Sequence, residues 1–176
     1  MSTMNKVLNL KFIKKSRLKQ GDIFALNIDG IYLIGRVAND KIPMMGSYAA
    51  LIYVYNMRLH EPKVVIAELT PDRLLLPPFL SFSSLWTKGY TIKIGFEPVK
   101  SNNLLPRHCF KVSENKYVNE FGNHIDAVDN DYCGTWRLLS VGTIDDLISD
   151  ALGIKKAPLH EDDIWYSQVK AKKYGS

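Results

Sequence analysis

Four residues in this chain have side chains that bind metals or act as nucleophile and base when brought together: His108, Cys109, His124 and Cys133. The ligand types suit zinc, but zinc ligands usually come as two closely spaced pairs, such as Cys-x2-Cys. Here eight residues separate His124 from Cys133, and adjacent residues such as His108 and Cys109 point to opposite faces of a strand. Nothing marks either cysteine as the activated thiolate of a Cys–His nucleophile pair. "DNDYCG", Asp129 to Gly134, begins like a calcium loop. Its fifth position is Cys133 and its twelfth is Ser140, where bidentate binding needs a carboxylate. Asp145 and Asp146 form an acidic pair that placement in the first turn of a helix explains, because the macrodipole favours negative charge there. There is no Gly-rich phosphate loop and no Gly-x-Ser-x-Gly elbow. The reading is no catalytic residue, no metal and no cofactor.

The elements that would carry any site are mostly strands. Ile23–Ile28 and Ile31–Val37 are rich in β-branched and aromatic residues, and Asp29-Gly30 between them favours a two-residue type I′ turn. That turn places Ile28 opposite Ile31, Leu26 opposite Leu33 and Phe24 opposite Gly35, where the missing side chain leaves room for the ring. Gly21-Asp22 opens this hairpin. Asp22 reads as punctuation, its carboxylate accepting from nearby backbone N–H groups. The hairpin is apolar on one face and half apolar on the other, which predicts a sheet covered on both sides or curled into a barrel. Ala49–Met57 is a central strand, Lys63–Leu69 another, and Tyr90–Phe96 a half-exposed one. "HCFKV" and "KYVNEF" form a second hairpin around Ser113-Glu114-Asn115, and "TWRLLSV" a further short strand.

Between Glu68 and Trp86 the chain is irregular, with room for a short helical turn. "TIDDLISDALG" is a helix capped by Thr143 with Asp146 as capping-box acid, an apolar stripe from Ile144 to Leu152, and Gly153 at the C-cap. A weaker helix is expected from about Asp162 to Lys172. The predicted fold class is α+β, mainly β: a strongly curved antiparallel sheet or small β-barrel, with one or two helices near the C-terminus, in one domain over 1–176.

Apolar content is 46% and charged content 23%, ordinary for a folded domain and too interrupted for a membrane span of about 20 residues. The first 15 residues make a poor signal peptide, because lysines break a brief apolar run. Two cysteines do not make a disulfide framework, so a cytoplasmic chain with reduced thiols is expected. The net charge of +5 is uneven: residues 1–20 hold six bases and no acid, whereas residues 120–163 hold ten acids against three bases. Two faces of opposite potential imply a charged partner. Lysines beside Phe12 raise a nucleic-acid-binding barrel as the alternative function. Against it, Tyr53, Tyr55, Tyr90 and Phe96 fall in core patterns.

The stretch "KQGDIFALNIDGIYLIGRV" resembles the opening of the immunity protein 26 family of bacterial polymorphic-toxin systems. The resemblance rests on Lys19, Gly21-Asp22-Ile23-Phe24-Ala25 and Gly35-Arg36-Val37. "LIYVYN", Leu51 to Asn56, and "SLW" with Gly89 ahead of Tyr90 to Phe96 resemble the family's next elements. About the first 100 residues are covered. The resemblance implies a cytoplasmic antidote, not an enzyme, whose partner is the C-terminal domain of a cognate toxin. No membrane and no stable nucleic-acid partner is expected. Antidotes to nuclease toxins are often acidic, which this chain is only between Glu120 and Asp163. The partner surface is therefore assigned to Asp126, Asp129 and Asp131 with Tyr132 as aromatic anchor, and to Glu161, Asp162 and Asp163 as a second patch.

Overall fold

In the computed structural model, which describes residues 8–126 and 132–155, the Asp29-Gly30 pair acts as its chemistry requires. Both residues have positive φ, 51° and 78°, as a type I′ turn demands. The turn joins β1 (Asp22–Ile28) to β2 (Ile31–Met44) in the expected register, with Phe24 opposite Gly35. A Cβ on Gly35 would collide with the Phe24 ring. A second two-residue turn, Met45-Gly46, leads from β2 into β3 (Ser47–Leu59), again with both φ values positive.

With β4 (Phe79–Ser81) and β5 (Ile92–Phe96), these strands form an antiparallel sheet in the order β4-β3-β2-β1-β5. The sheet is open. Strands β4 and β5 are its two edges and do not pair with each other, so the barrel alternative is corrected to an open sheet. Its two faces are buried by different partners. Phe24, Leu26, Leu33, Ile52 and Val54 pack with Leu85 and Trp86 of the short helix α1 (Ser84–Thr87) and with Ile144 and Ile148 of α2 (Val141–Leu152). Ile23, Ala25, Ile34, Leu51, Tyr53 and Tyr55 pack with Phe110 and Val118.

Phe110 and Val118 belong to a second, smaller sheet of β6 (Cys109–Ser113), β7 (Lys116–Val118), β8 (His124–Ile125) and β9 (Cys133–Thr135). Its order is β8-β7-β6-β9, and β9 runs parallel to β6. The alternation of β3, with even-numbered residues toward the helices and odd-numbered toward the small sheet, explains why it reads as apolar on both faces.

Four expectations are corrected. Lys63–Leu69 is no strand: it is irregular with a 3-10 turn at Ile66–Glu68, and Val65 is 60% exposed. The place beside β3 is taken by β4, so this apolar run has no ladder to join. Of "TWRLLSV" only Thr135 lies in a strand, although Leu138 bridges Leu80. Helix α2 begins earlier than the sequence suggests, at Val141, because Ser140 is its cap: Ser140 Oγ accepts the Thr143 N–H at 3.2 Å. Asp145 and Asp146 therefore lie beyond the first turn, and the macrodipole does not explain them. Asp145 is fully buried and accepts the Leu10 N–H at 2.7 Å, tying the N-terminal segment to the helix. Gly153 has φ 71° and closes the helix as expected. The helix expected at 162–172 lies outside the described residues.

Candidate partner-binding surface

Asp22 stands at the start of β1 with almost no exposure. Its Oδ2 accepts the Lys19 N–H at 2.9 Å and its Oδ1 meets Lys93 Nζ, also at 2.9 Å. It caps the turn at Gly21 and ties β1 to β5. The punctuation role holds, with an ion pair added.

Between the two sheets lies a polar network built on β2 and β3. Arg36 and Tyr53 are fully buried. The Arg36 guanidinium pairs with Glu97, and its Nη1 donates to the Asn103 carbonyl at 3.3 Å. Tyr53 Oη accepts the Leu105 N–H at 3.0 Å and shares a 2.5 Å hydrogen bond with His108 Nε2. His108 Nδ1 in turn lies 3.2 Å from Glu120 Oε1. The chain runs from the large sheet to Glu120, two residues past the end of β7, and so clamps the small sheet in place.

Burial pushes the Tyr53 hydroxyl far above its usual range. Burial likewise raises Tyr55 to about 12, with the charge of Arg36 pulling the other way. Burial alone would raise Glu120, but the His108 hydrogen bond, a backbone N–H and the charge of His108 together bring its carboxyl below the ordinary value. The Tyr53–His108 and His108–Glu120 hydrogen bonds join the two sheets as a clamp.

Cys109 and Cys133 face each other in register on parallel strands, with Cα atoms 4.7 Å apart, and are joined as a disulfide. This corrects the expectation of reduced thiols. It also removes both sulfurs from any zinc or nucleophile role, while His108 is engaged by Tyr53 and Glu120.

The bridge pins β9, and with it Tyr132, the residue just before that strand. Tyr132 is half-buried and its hydroxyl donates to the Asp72 carbonyl at 3.4 Å, reaching the 3-10 turn Pro71–Arg73. Asp126 follows β8 and is exposed. These two residues thus flank opposite edges of the small sheet. Asp129, Asp131, Glu161, Asp162 and Asp163 lie outside the described residues. A cavity of about 200 Å³ opens beside β9, lined by Pro77, Pro78, Phe79, Cys133, Arg137 and Leu147 among others.

Sequence reasoning missed another exposed feature. Met45 is 86% and Tyr48 61% exposed at the β2–β3 turn, next to a cavity of about 310 Å³ lined by Arg17, Asp40, Ser83 and Trp86. A Met-Gly pair where hairpins favour Asn-Gly was the available signal.

A family model for immunity protein 26 matches residues 19–119, more than half of the chain. The chain belongs to the immunity protein 26 family. No curated protein and no solved structure matches it. The span shared with the immunity protein 26 model runs from the approach to β1 through β7, and includes Arg36, Tyr53, Glu97 and His108. It thus covers the five-stranded sheet and most of the polar clamp, and stops where the acid-rich stretch begins. Among the described residues of this immunity protein, no helix is long and apolar enough to cross a membrane, and no three His, Cys, Asp or Glu side chains are grouped to hold a metal ion.

Proposed function

We propose that this immunity 26 protein neutralises a cognate toxin by binding the toxin's C-terminal catalytic domain and covering its active site. It acts in the cytoplasm of the cell that carries it, as one partner of a polymorphic or contact-dependent toxin system. It performs no reaction of its own. The observation that carries this reading is the family match over residues 19–119.

The acid-rich surface gives the reading a direction. Asp126, Asp129 and Asp131, with Tyr132 as anchor, form the contact with the toxin, and Glu161, Asp162 and Asp163 add a second acidic patch. Their charge suits a toxin that is basic where it holds nucleic acid, as a nuclease is. Tyr132 suits an anchor because it is already held by Asp72 and the neighbouring disulfide, so less side-chain entropy is lost on binding.

Co-expression tests the proposal. The toxin domain encoded beside this protein should kill cells when made alone, and this protein should restore growth. Survival that does not improve removes the reading. Asp126→Lys combined with Tyr132→Ala should weaken the purified complex by at least about tenfold, since loss of an aromatic anchor alone costs about 2 kcal/mol.

A further inference from the structure

Residues 8–21 and residues 82–96 contain no acid, and the fold puts them side by side. The Ile13 and Lys14 N–H groups both donate to the Gly89 carbonyl, at 2.6 and 3.1 Å, and Lys14 bridges Tyr90 and Thr91. Lys11, Lys14, Lys15, Lys19, Lys88 and Lys93 are all exposed along this border. The acids that bracket it are turned inward. Asp22 is buried against Lys93, and Glu97 pairs with the buried Arg36. Asp40 shares a cavity wall with Arg17 at one end of the border, and among the described residues no ion pair joins Lys11, Lys14, Lys15, Lys19 or Lys88 to an acid.

The same border exposes two aromatic rings. Phe12 is 63% exposed and lies against Gly89, while Phe96 is 48% exposed and lies against Gly21. The ammonium groups of Lys19 and Lys93 stand 6.0 and 5.8 Å from the centre of the Phe96 ring. Strand β5 is an edge of the large sheet.

Lysines often serve only to keep an edge strand from pairing. That role needs a charge on the strand itself. It explains neither the four further lysines of residues 11–19 nor the exposed rings among them.

We infer that this Lys14–Lys19–Lys88–Phe96 border is a docking surface for an acidic segment of a protein partner. Charge complementarity sets the sign of the partner. The Phe96 ring already has two ammonium groups beside it, an arrangement that receives carboxylates better than it receives a stacked base. Among the described residues β5 is an edge strand, and an edge strand can be extended by a peptide but not by a nucleotide backbone. The inference rests on the toxin-binding reading, and it adds a second contact of opposite charge to the acidic one.

The test is the association rate of the full-length protein with the toxin domain, measured from low to high salt. Lys14→Glu/Lys19→Glu/Lys88→Glu leaves the Lys93–Asp22 pair intact. It should slow association at low salt by at least about tenfold and flatten the salt dependence. The milder Lys14→Gln/Lys19→Gln/Lys88→Gln variant, with circular dichroism as a fold check, should show a smaller change in the same direction. An unaltered rate and salt slope in both variants overturns the inference while leaving the toxin-binding reading standing. A wild-type protein that neither binds nor protects overturns both. A salt-sensitive shift of single-stranded oligonucleotide by the wild type and not by the variants, with toxin association unchanged, would assign the surface to nucleic acid instead and overturn the inference.

Discussion

Reducing the Cys109–Cys133 bridge should destabilise the protein by an amount the topology allows one to work out. The bridge joins residues separated by 24 positions. In the chain-entropy treatment, closing a loop of that length removes about 3.5 kcal/mol of freedom from the unfolded chain at 25 °C. The native state has little to replace it with, because β9 pairs with β6 through only Cys133, Gly134 and Thr135. With a denaturant slope of about 2 kcal/mol per molar urea, the midpoint should fall by about 1.5–2 M when a reductant is added.

The assay is urea unfolding of one preparation with and without reductant, followed by far-ultraviolet circular dichroism. Comparing the same chain in two redox states avoids the packing change that a substitution brings. A Cys109→Ala/Cys133→Ala variant serves as control and should lose its response to reductant altogether. Oxidised and reduced protein with the same midpoint would refute the entropic reasoning. Two free thiols titrated in the unreduced native protein would refute the bridge itself.

Three further outcomes follow from the core and the clamp. Gly35→Ala puts a methyl group into the Phe24 ring and within 2.8 Å of the Tyr53 carbonyl oxygen, so thermal unfolding should show a loss of about 1–3 kcal/mol. Glu97→Ala leaves the fully buried Arg36 without its counter-charge and should cost about 3 kcal/mol by urea unfolding, whereas replacing the pair with Arg36→Met/Glu97→Met should recover most of that. In an alkaline titration followed by ultraviolet absorbance, Tyr53 and Tyr55 should stay protonated after the exposed tyrosines have ionised. Their folded-state pKa values lie above the unfolded value of 10.0, with Tyr55 at about 12. The stability they contribute is thus complete below pH 10 and is lost as pH climbs toward 12.

What could be read from the sequence was what local chemistry decides. The Asp29-Gly30 turn set the β1–β2 register residue by residue, and Gly35 announced the Phe24 ring. The left-handed cap at Gly153 was legible for the same reason. Misreadings came where a distant neighbour decides. Lys63–Leu69 has the composition of a strand, but Phe79–Ser81 occupies the edge it would need. Asp145 looks like a helix-dipole acid until Leu10, 135 residues away in sequence, presents its N–H. The Cys109–Cys133 bond depends on a parallel β6–β9 pairing that no periodicity reveals. Arg36 fell on the half-apolar face of its strand, but nothing in its surroundings pointed to Glu97, 61 positions away, as its partner. Of the assigned partner surface, Asp126 and Tyr132 lie on the small sheet's flanks, and the disulfide beside Tyr132 was not foreseen.

The way the large sheet is covered limits where recognition can happen. One face is closed by α1 and α2 and the other by β6 and β7, so among the described residues neither presents its strands as an open surface. Tyr53 and Tyr55, aromatic residues of the kind that could stack bases on an open sheet, are fully buried. This weighs against a nucleic-acid-binding barrel, which reads its ligand across an exposed aromatic face. That leaves the rim, which includes the loops around the small sheet and the β5 border. The sequence differs in charge between them: residues 120–163 are rich in acid, whereas residues 8–21 and 82–96 hold none. Because they sit on separate elements, each can change its side chains without disturbing the packed layers between them. A scaffold built this way can keep its Arg36–Glu97 and Tyr53–His108–Glu120 clamps constant while its rim is fitted to a particular toxin.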